Sequence, residues 1–373
     1  MQVDAFAEQT MRRALELGRR GAGLVEPNPM VGAVITAAAP ENSPAQIIAE
    51  GWHAAYGGPH AEVTALAAAG AAAHGATLTI TLEPCCHHGQ TPPCTQAIIA
   101  AGIKKVIVAI RDPFPAVNGG GIEALRHAGI EVQEGLCAAE ANRLIAPFRM
   151  LVEQRRPWVI AKWAMSLDGR VATASRESRW ISSTNSRAEA HALRGQVDAI
   201  LVGIGTALAD DPLLTSRPAG PRQAVRVVLD SHARLPLESQ LVRTARDVPV
   251  LVAVGPAAPA PRIRALEAAG CEVWMGSTTD QTERLRNLLS ELGARRLTNL
   301  LVEGGPSVMG SLADLQSIDE IWAFIAPKII GGTGAPSPID GAGIARLSAV
   351  AAIDIEDISR PGGDLLLRGV VRR

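Results

Sequence analysis

The sequence predicts an α/β protein of two domains, each a largely parallel sheet sandwiched by helices. Three observations carry that expectation. Short apolar runs alternate with helix-periodic stretches along the chain. Its 373 residues are too many for one comfortable core. In PFRMLVEQRRP, between Pro147 and Pro157, charge rises and the alternation pauses, which puts one domain at 1–150 and the other at 151–373.

In order, Asp4 can cap a first helix ending near Gly18, Gly21 and Gly23, and MVGAVIT follows as a buried strand. A second helix covers AEVTALAAAGAAA after Pro59. LTITLE alternates over Leu78, Ile80 and Leu82, a strand ending at Glu83. TQAIIAAG is a short helix stopped by Gly102, KKVIVAI the next strand, and EALRHAG with IEV repeats the pairing. Beyond Pro157, strand-like runs at WVIAKWAM, AILVGIG, AVRVVLD, VPVLVAV, NLLVEGG and IWAFIAPKII interleave with helical patterns at 184–195, 261–269, 282–294 and 306–315.

Composition narrows the function. Aromatics at 3% leave few platforms for stacking bases, and a net charge of −1 with interspersed signs shows no footprint for nucleic acid. No apolar run reaches the ~20 residues that span a bilayer, and the N-terminus lacks the apolar block of a signal peptide. Cys85, Cys86 and Cys94 cluster while Cys137 and Cys271 stand apart, a poor disulfide framework that fits a reducing cytoplasm. The expected partner is a small molecule, with no nucleic acid and no membrane. A homo-oligomer is the expected assembly.

The densest chemistry is TLEPCCHHGQTPPC, residues 81–94. His60-Ala61-Glu62 lies upstream at a helix start, Cys85 follows the strand ending at Glu83, and Cys94 opens the helix after Pro92-Pro93. One imidazole and two thiolates make a three-ligand zinc set with a fourth position left for water, which becomes nucleophilic near neutral pH. Glu62, two residues from a ligand, can reach that water without binding the metal and carry its proton to a leaving amine. His-x-Glu followed by Pro-Cys is the arrangement of zinc nucleobase deaminases, although here eight residues separate Cys85 from Cys94. Two other readings compete. One is a deaminase of nucleosides or RNA with a non-catalytic nucleotide-binding second domain. The other is a structural zinc protein closed by a fourth ligand, for which Cys86 is a candidate. In the second half, Gly203-x-Gly205 lacks a third glycine at dinucleotide spacing, and LLVEGGPSVMG reads as strand, Gly-Gly turn and helix start at Pro306. Such a turn can receive a phosphate or be only a tight connection, and the residues alone leave these even.

PNPMVGAVI, GWHAAYGGPHAE and TLEPCCHHGQTPPC together resemble the deaminase half of the bifunctional deaminase–reductases of riboflavin biosynthesis. KWAMSLDGRVATASRESRWIS and VGIGTALADDPLLTSR resemble their reductase half. The resemblance implies a cytidine-deaminase-like three-layer domain followed by a dihydrofolate-reductase-like α/β domain. It assigns zinc to His60, Cys85 and Cys94, proton transfer to Glu62, and the pyrimidine or its ribose phosphate to Asn28, His53 and His87. On the reductase side it implies NADPH, with Ala164, Trp180, Thr206, Asp210, Ser231 and the turn Gly305, Pro306, Ser307, Val308, Met309, Gly310 and Ser311 at cofactor positions. Ser178, Arg194, Leu214, Arg217 and Glu303 match substrate positions, where the two arginines would clamp a phosphate and Asp210 or Glu303 would hold sugar hydroxyls. Asp168 and Asp211 read as turn or cap residues, Arg222 and Arg226 as solvated surface charges. Three residues depart from the family pattern: Cys86 stands for serine, Gln90 for arginine or lysine, and Phe114 for asparagine. The implied reactions are loss of an amine from a diaminopyrimidine carrying a ribosylamino 5′-phosphate, then reduction of its ribosyl chain to ribityl.

Overall fold

The structure, a computed structural model, describes residues 5–37, 46–87 and 92–372. The cap at Asp4, His88 and Gln90 lie outside the described residues. The chain divides into two compact units, one ending at Gln154 and the other beginning at Arg155.

The first unit runs α1 (Ala5–Arg19), β1 (Gly32–Thr36), β2 (Ile47–Trp52), α2 (Ala61–Ala69), β3 (Thr77–Ile80), α3 (Cys94–Ala100), β4 (Lys105–Val108), α4 (Gly120–His127), β5 (Glu131–Glu134), α5 (Ala138–Leu144) and α6 (Ala146–Gln154). Sheet order is β2-β1-β3-β4-β5. The expected parallel sheet is only half realised: β3, β4 and β5 are parallel, but β1 is antiparallel to both its neighbours. β1 and β2 lie side by side in antiparallel register, and the crossover through α2 then lays β3 parallel to β2 on the far side of β1. The sequence expectation lacked β2 because IIAEGW is half-buried and interrupted by Glu50 and Gly51.

Helices cover both faces. Ala65, Ile98, Ile122 and Leu125 meet Leu78, Ile80, Val106 and Val108 on one side. Met11, Ala14, Leu15 and Leu144 meet Val34 and Ile107 on the other. Each fully buried aliphatic side chain contributes roughly 1.5–3 kcal/mol of transfer free energy. Gly32 admits α1 against β1, since a Cβ there would lie 1.9 Å from the Ala14 carbonyl oxygen.

The second unit runs β6 (Trp158–Ser166), α7 (Thr184–Arg194), β7 (Ala199–Gly203), α8 (Ile204–Asp210), β8 (Val225–Leu229), α9 (Gln240–Arg243), β9 (Val250–Val254), α10 (Ala260–Ala268), β10 (Glu272–Met275), α11 (Gln281–Ala294), β11 (Asn299–Val302), α12 (Pro306–Asp314), β12 (Glu320–Ala326), β13 (Ile353–Ser359) and β14 (Leu365–Val371). Sheet order is β10-β9-β8-β7-β11-β6-β12-β14-β13, parallel through β12 and closed by the antiparallel pair β14–β13. That last pair was absent from the sequence expectation. The order sets the carboxyl ends of β6, β7 and β11 side by side, the usual place for a ligand crevice in an open α/β sheet.

Arg226 and Arg222 are not solvated charges. Arg226 is fully buried and donates to the carbonyls of Leu213, Thr244 and Val248 and to the Thr244 hydroxyl. Arg222 pairs with buried Asp198, which also accepts from the backbone of Thr298 and Asn299. Neither partner set is near in sequence, so charge alone suggested exposure.

Candidate active sites

In the first unit His60, at the N-cap of α2, and Cys94, the first residue of α3, converge on Cys85 beyond β3. The His60 Nδ1 lies 3.1 Å from Cys94 Sγ and 3.7 Å from Cys85 Sγ, and the Cys94 N–H points at Cys85 Sγ from 3.4 Å. A tetrahedral zinc separates such donors by about 3.5–3.8 Å, given Zn–N of about 2.0 Å and Zn–S of about 2.3 Å. The 3.7 Å separation matches that spacing and the 3.1 Å one is shorter; all three donor atoms lie within 4.8 Å of one another, so one imidazole nitrogen and two sulfurs can close on a single zinc with small side-chain shifts. Hydrogen bonds from Cys94 and His60 hold the Cys85 thiol well below its usual range, against the opposing effect of burial. Cys86 lies outside the cluster, its sulfur turned toward the Ala116 carbonyl at 3.9 Å.

Glu62 sits in the first turn of α2 and is 3% exposed. Burial lifts its carboxyl to about 7, where it can both accept and release a proton near neutrality. Asn28 and His53 meet at 3.2 Å, and the His53 ring packs edge-on against His60 at 5.4 Å between centroids. His87 lies 6.1 Å from the Phe114 ring and keeps a buried Nδ1 without a hydrogen-bond partner among the described residues.

Glu83 is a structural anchor beside the site that sequence reasoning read only as a strand end. Its carboxylate accepts from the backbone N–H groups of Asp112, Gly119, Gly121 and Ile122 at 2.9–3.2 Å. It thereby ties the loop carrying Phe114 to the segment carrying Cys85.

In the second unit a cavity of about 950 Å³ opens at the carboxyl ends of β6, β7 and β11. Ala164, Ser178, Trp180, Arg194, Thr206, Asp210, Leu214, Arg217, Glu303 and the turn from Gly305 to Met309 all line it. Ser231, Gly310 and Ser311 lie outside its lining. Gly310 packs on Asp340, where a Cβ would sit 2.3 Å from a carbonyl oxygen, and the Ser311 hydroxyl donates back to Ser307. Trp180 is exposed, with Arg187 over its ring at 4.4 Å.

The expected arginine clamp is altered. Arg194 spends Nε and Nη2 on Glu303, at 2.9 and 2.5 Å, and Nη1 on the Thr215 carbonyl. Three of the five guanidinium N–H groups of Arg194 are thus engaged, and Arg217 lines the same cavity beside it. Burial would raise the Glu303 carboxyl, but Arg194 and then Lys162 outweigh it and hold the group at about 2. Lys162, on β6, was missed by sequence reasoning because it stands alone in an apolar strand. Burial lowers its ammonium, and it faces Glu303 and the Phe324 ring from the cavity wall. Asp168 accepts from the N–H groups of Ile330 and Gly331 as well as from the Ser166 hydroxyl, which holds it down at about 2. Asp211 accepts from the Gln240 N–H at the start of α9.

Fold and sites together define a metal-dependent deaminase unit joined to a nucleotide-cofactor reductase unit. Residues 4–110 match the cytidine and deoxycytidylate deaminase zinc-binding region, and residues 157–366 match the RibD C-terminal domain. The riboflavin biosynthesis protein RibD of Actinobacillus pleuropneumoniae is 40% identical over 361 residues, covering 97% of this chain and 94% of that protein. A solved RibD of Acinetobacter baumannii superposes with a TM-score of 0.83 at 32% identity, covering 98% of this chain and 99% of the other. The deaminase/reductase of Thermotoga maritima gives 0.82 at 34% identity, with the same shares covered. The chain belongs to the RibD family of riboflavin biosynthesis proteins.

Proposed function

We infer that this chain is a bifunctional enzyme of riboflavin biosynthesis, a zinc-dependent deaminase followed by an NADPH-dependent reductase. Its substrate is a diaminopyrimidine bearing a ribosylamino 5′-phosphate, and each compact unit carries one reaction. The observation that carries the reading is the His60–Cys85–Cys94 donor set with buried Glu62 two residues on from His60 in the first turn of α2. When bound, zinc supplies the acidity that makes a water nucleophilic, and NADPH supplies hydride. Glu62 takes the proton of that water and returns it to the departing amine. His87 offers its unpaired Nδ1 to the substrate.

On the reductase side Glu303, held ionised, accepts a sugar hydroxyl and Arg217 meets the phosphate. The glycines at 203 and 305 keep the cofactor wall thin: a Cβ on Gly305 would stand 3.2 Å from Thr206 Oγ1. The rival deaminase of nucleosides or RNA has no support in the second unit, whose cavity belongs to a reductase domain. No helix among the described residues is long and apolar enough to cross a membrane; five free cysteines support the cytoplasm as compartment. Exposed Ile353, Ile355 and Ile358 on edge strand β13 support self-association.

The test follows NADPH oxidation and ammonia release when the chain meets the diaminopyrimidine substrate, beside Glu62→Gln. The wild type should do both; the variant should retain zinc, release no ammonia and still reduce the deaminated compound. NADPH oxidation by the variant on the undeaminated substrate would refute the order of reactions, and undiminished ammonia release would remove Glu62.

A further inference from the structure

We propose that Lys328 is a positioning residue of the reductase unit, whose ammonium clamps the loop at 178–182 so that the Trp180 ring stands in the cavity wall that receives NADPH. The inference rests on the reductase reading and adds to it a residue outside the cavity lining.

Between β6 and α7 the chain runs without regular structure through Ser178, Trp180 and Ile181, all of which line the cavity. Among the described residues no backbone–backbone hydrogen bond holds 178–182. Side-chain cations hold it instead. Arg187 donates to the Ser182 carbonyl at 2.7 Å, and Arg179 donates to the Asp210 carbonyl. Lys328 Nζ donates to the carbonyls of Trp180 and Ile181, both at 2.8 Å. Hydrogen bonds from a charged donor are about twice as strong as neutral ones, and two of the three ammonium N–H groups are spent here.

Lys328 can clamp because its own backbone is fixed. β6 and β12 run parallel with Ser166 beside Ala326, and the segments just beyond them stay joined. The Leu167 N–H donates to the Lys328 carbonyl at 2.8 Å, and the Asp168 carboxylate accepts from Ile330 and Gly331 at 3.0 and 2.7 Å. From that base the ammonium reaches a segment 148 residues earlier in the chain. On its other side the loop is tied by Arg179 to the end of α8, the helix whose Thr206 stands against Gly305. The clamp therefore sets the loop against the cofactor wall. Trp180 is 62% exposed and carries Arg187 over its ring at 4.4 Å, so a large flat surface remains for a planar group of the cofactor. Without Lys328 the cofactor must order this loop as it binds, and that ordering costs affinity.

The test compares Lys328→Met and Lys328→Arg in the full-length, zinc-loaded chain; Lys328 is exposed, so both variants should fold. Calorimetric titration should give an NADPH Kd about tenfold higher in Lys328→Met. Lys328→Arg keeps a cation that can reach both carbonyls and should recover most of the affinity. KM for NADPH should rise in step with Kd, while kcat, KM for the pyrimidine and ammonia release stay near wild type. In the cofactor-free chain, trypsin should cut after Arg176 and Arg179 faster in Lys328→Met than in wild type. Unchanged cleavage would overturn the clamp. Faster cleavage with an unchanged Kd would overturn its bearing on the cofactor, and an equal rise in both KM values would mean a general loosening of the cavity instead. A wild type that bound no NADPH would fail the reductase reading, while the cleavage rates would still decide the clamp.

Discussion

Replacing Glu83 by glutamine should destabilise the deaminase unit more than its conservative chemistry suggests. Oε1 accepts from Gly121 and Ile122, Oε2 from Asp112 and Gly119, all within 2.9–3.2 Å, and the side chain is 3% exposed. Glutamine keeps one oxygen and turns an NH₂ group against two of the four N–H donors. Each orphaned buried donor costs about 1–3 kcal/mol. The backbone has little room to relax, because Gly121 already packs so closely that a Cβ would fall 2.0 Å from the Pro84 carbonyl oxygen. Two lost acceptors therefore predict a loss of about 2–4 kcal/mol after some local adjustment. With a urea m-value of about 2 kcal/mol/M, the unfolding midpoint should drop by about 1–2 M. Zinc release into a colorimetric chelator during urea titration reads this unit alone. A midpoint within about 0.2 M of wild type would refute the idea that Glu83 is the anchor of the 112–122 loop.

Two further outcomes follow from the reductase cavity. Glu303→Gln should lower reductase kcat/KM while ammonia release is unchanged. Because the folded carboxyl is held at about 2, below its usual value, its stabilising contribution is complete above about 4.3 and fades as pH falls toward about 2. Tryptophan fluorescence suits the measurement, since Trp158, Trp163, Trp180, Trp274 and Trp322 all lie in the second unit. The stability gap between wild type and Glu303→Gln should shrink between pH 5 and pH 3, and a widening gap would contradict the ion pair. Arg217→Ala should raise the reductase KM about tenfold through loss of a charged contact to phosphate, and an equal rise in the deaminase KM would place that residue elsewhere.

Much of the metal site was legible. His60, Glu62, Cys85 and Cys94 carry chemistry in their identities, and a helix start and a strand end bring such residues together by local rules. The loop residues around it were not. Glu83 reads as the last residue of a strand until the chain folds back and four N–H groups from 112–122 reach it. Arg226 reads as surface charge because hydropathy scores a residue, not its partners, and its acceptors are carbonyls up to 22 residues away. In the cavity, the resemblance supplied Arg194 and Glu303 as separate contacts, and only their geometry shows them spent on each other.

By itself the sequence determined the two α/β units, because periodicity and turn residues act over a few positions. It also determined the zinc donor types, because only a few side chains bind that metal. Tertiary structure alone decided the antiparallel half of the first sheet and the closing β14–β13 pair. It decided as well that Arg194 and Glu303 pair with each other and that Arg226 is buried among carbonyls. Each of these depends on groups brought within hydrogen-bond reach across strands, and a distance of that kind is a property of the folded chain and not of any local stretch of it.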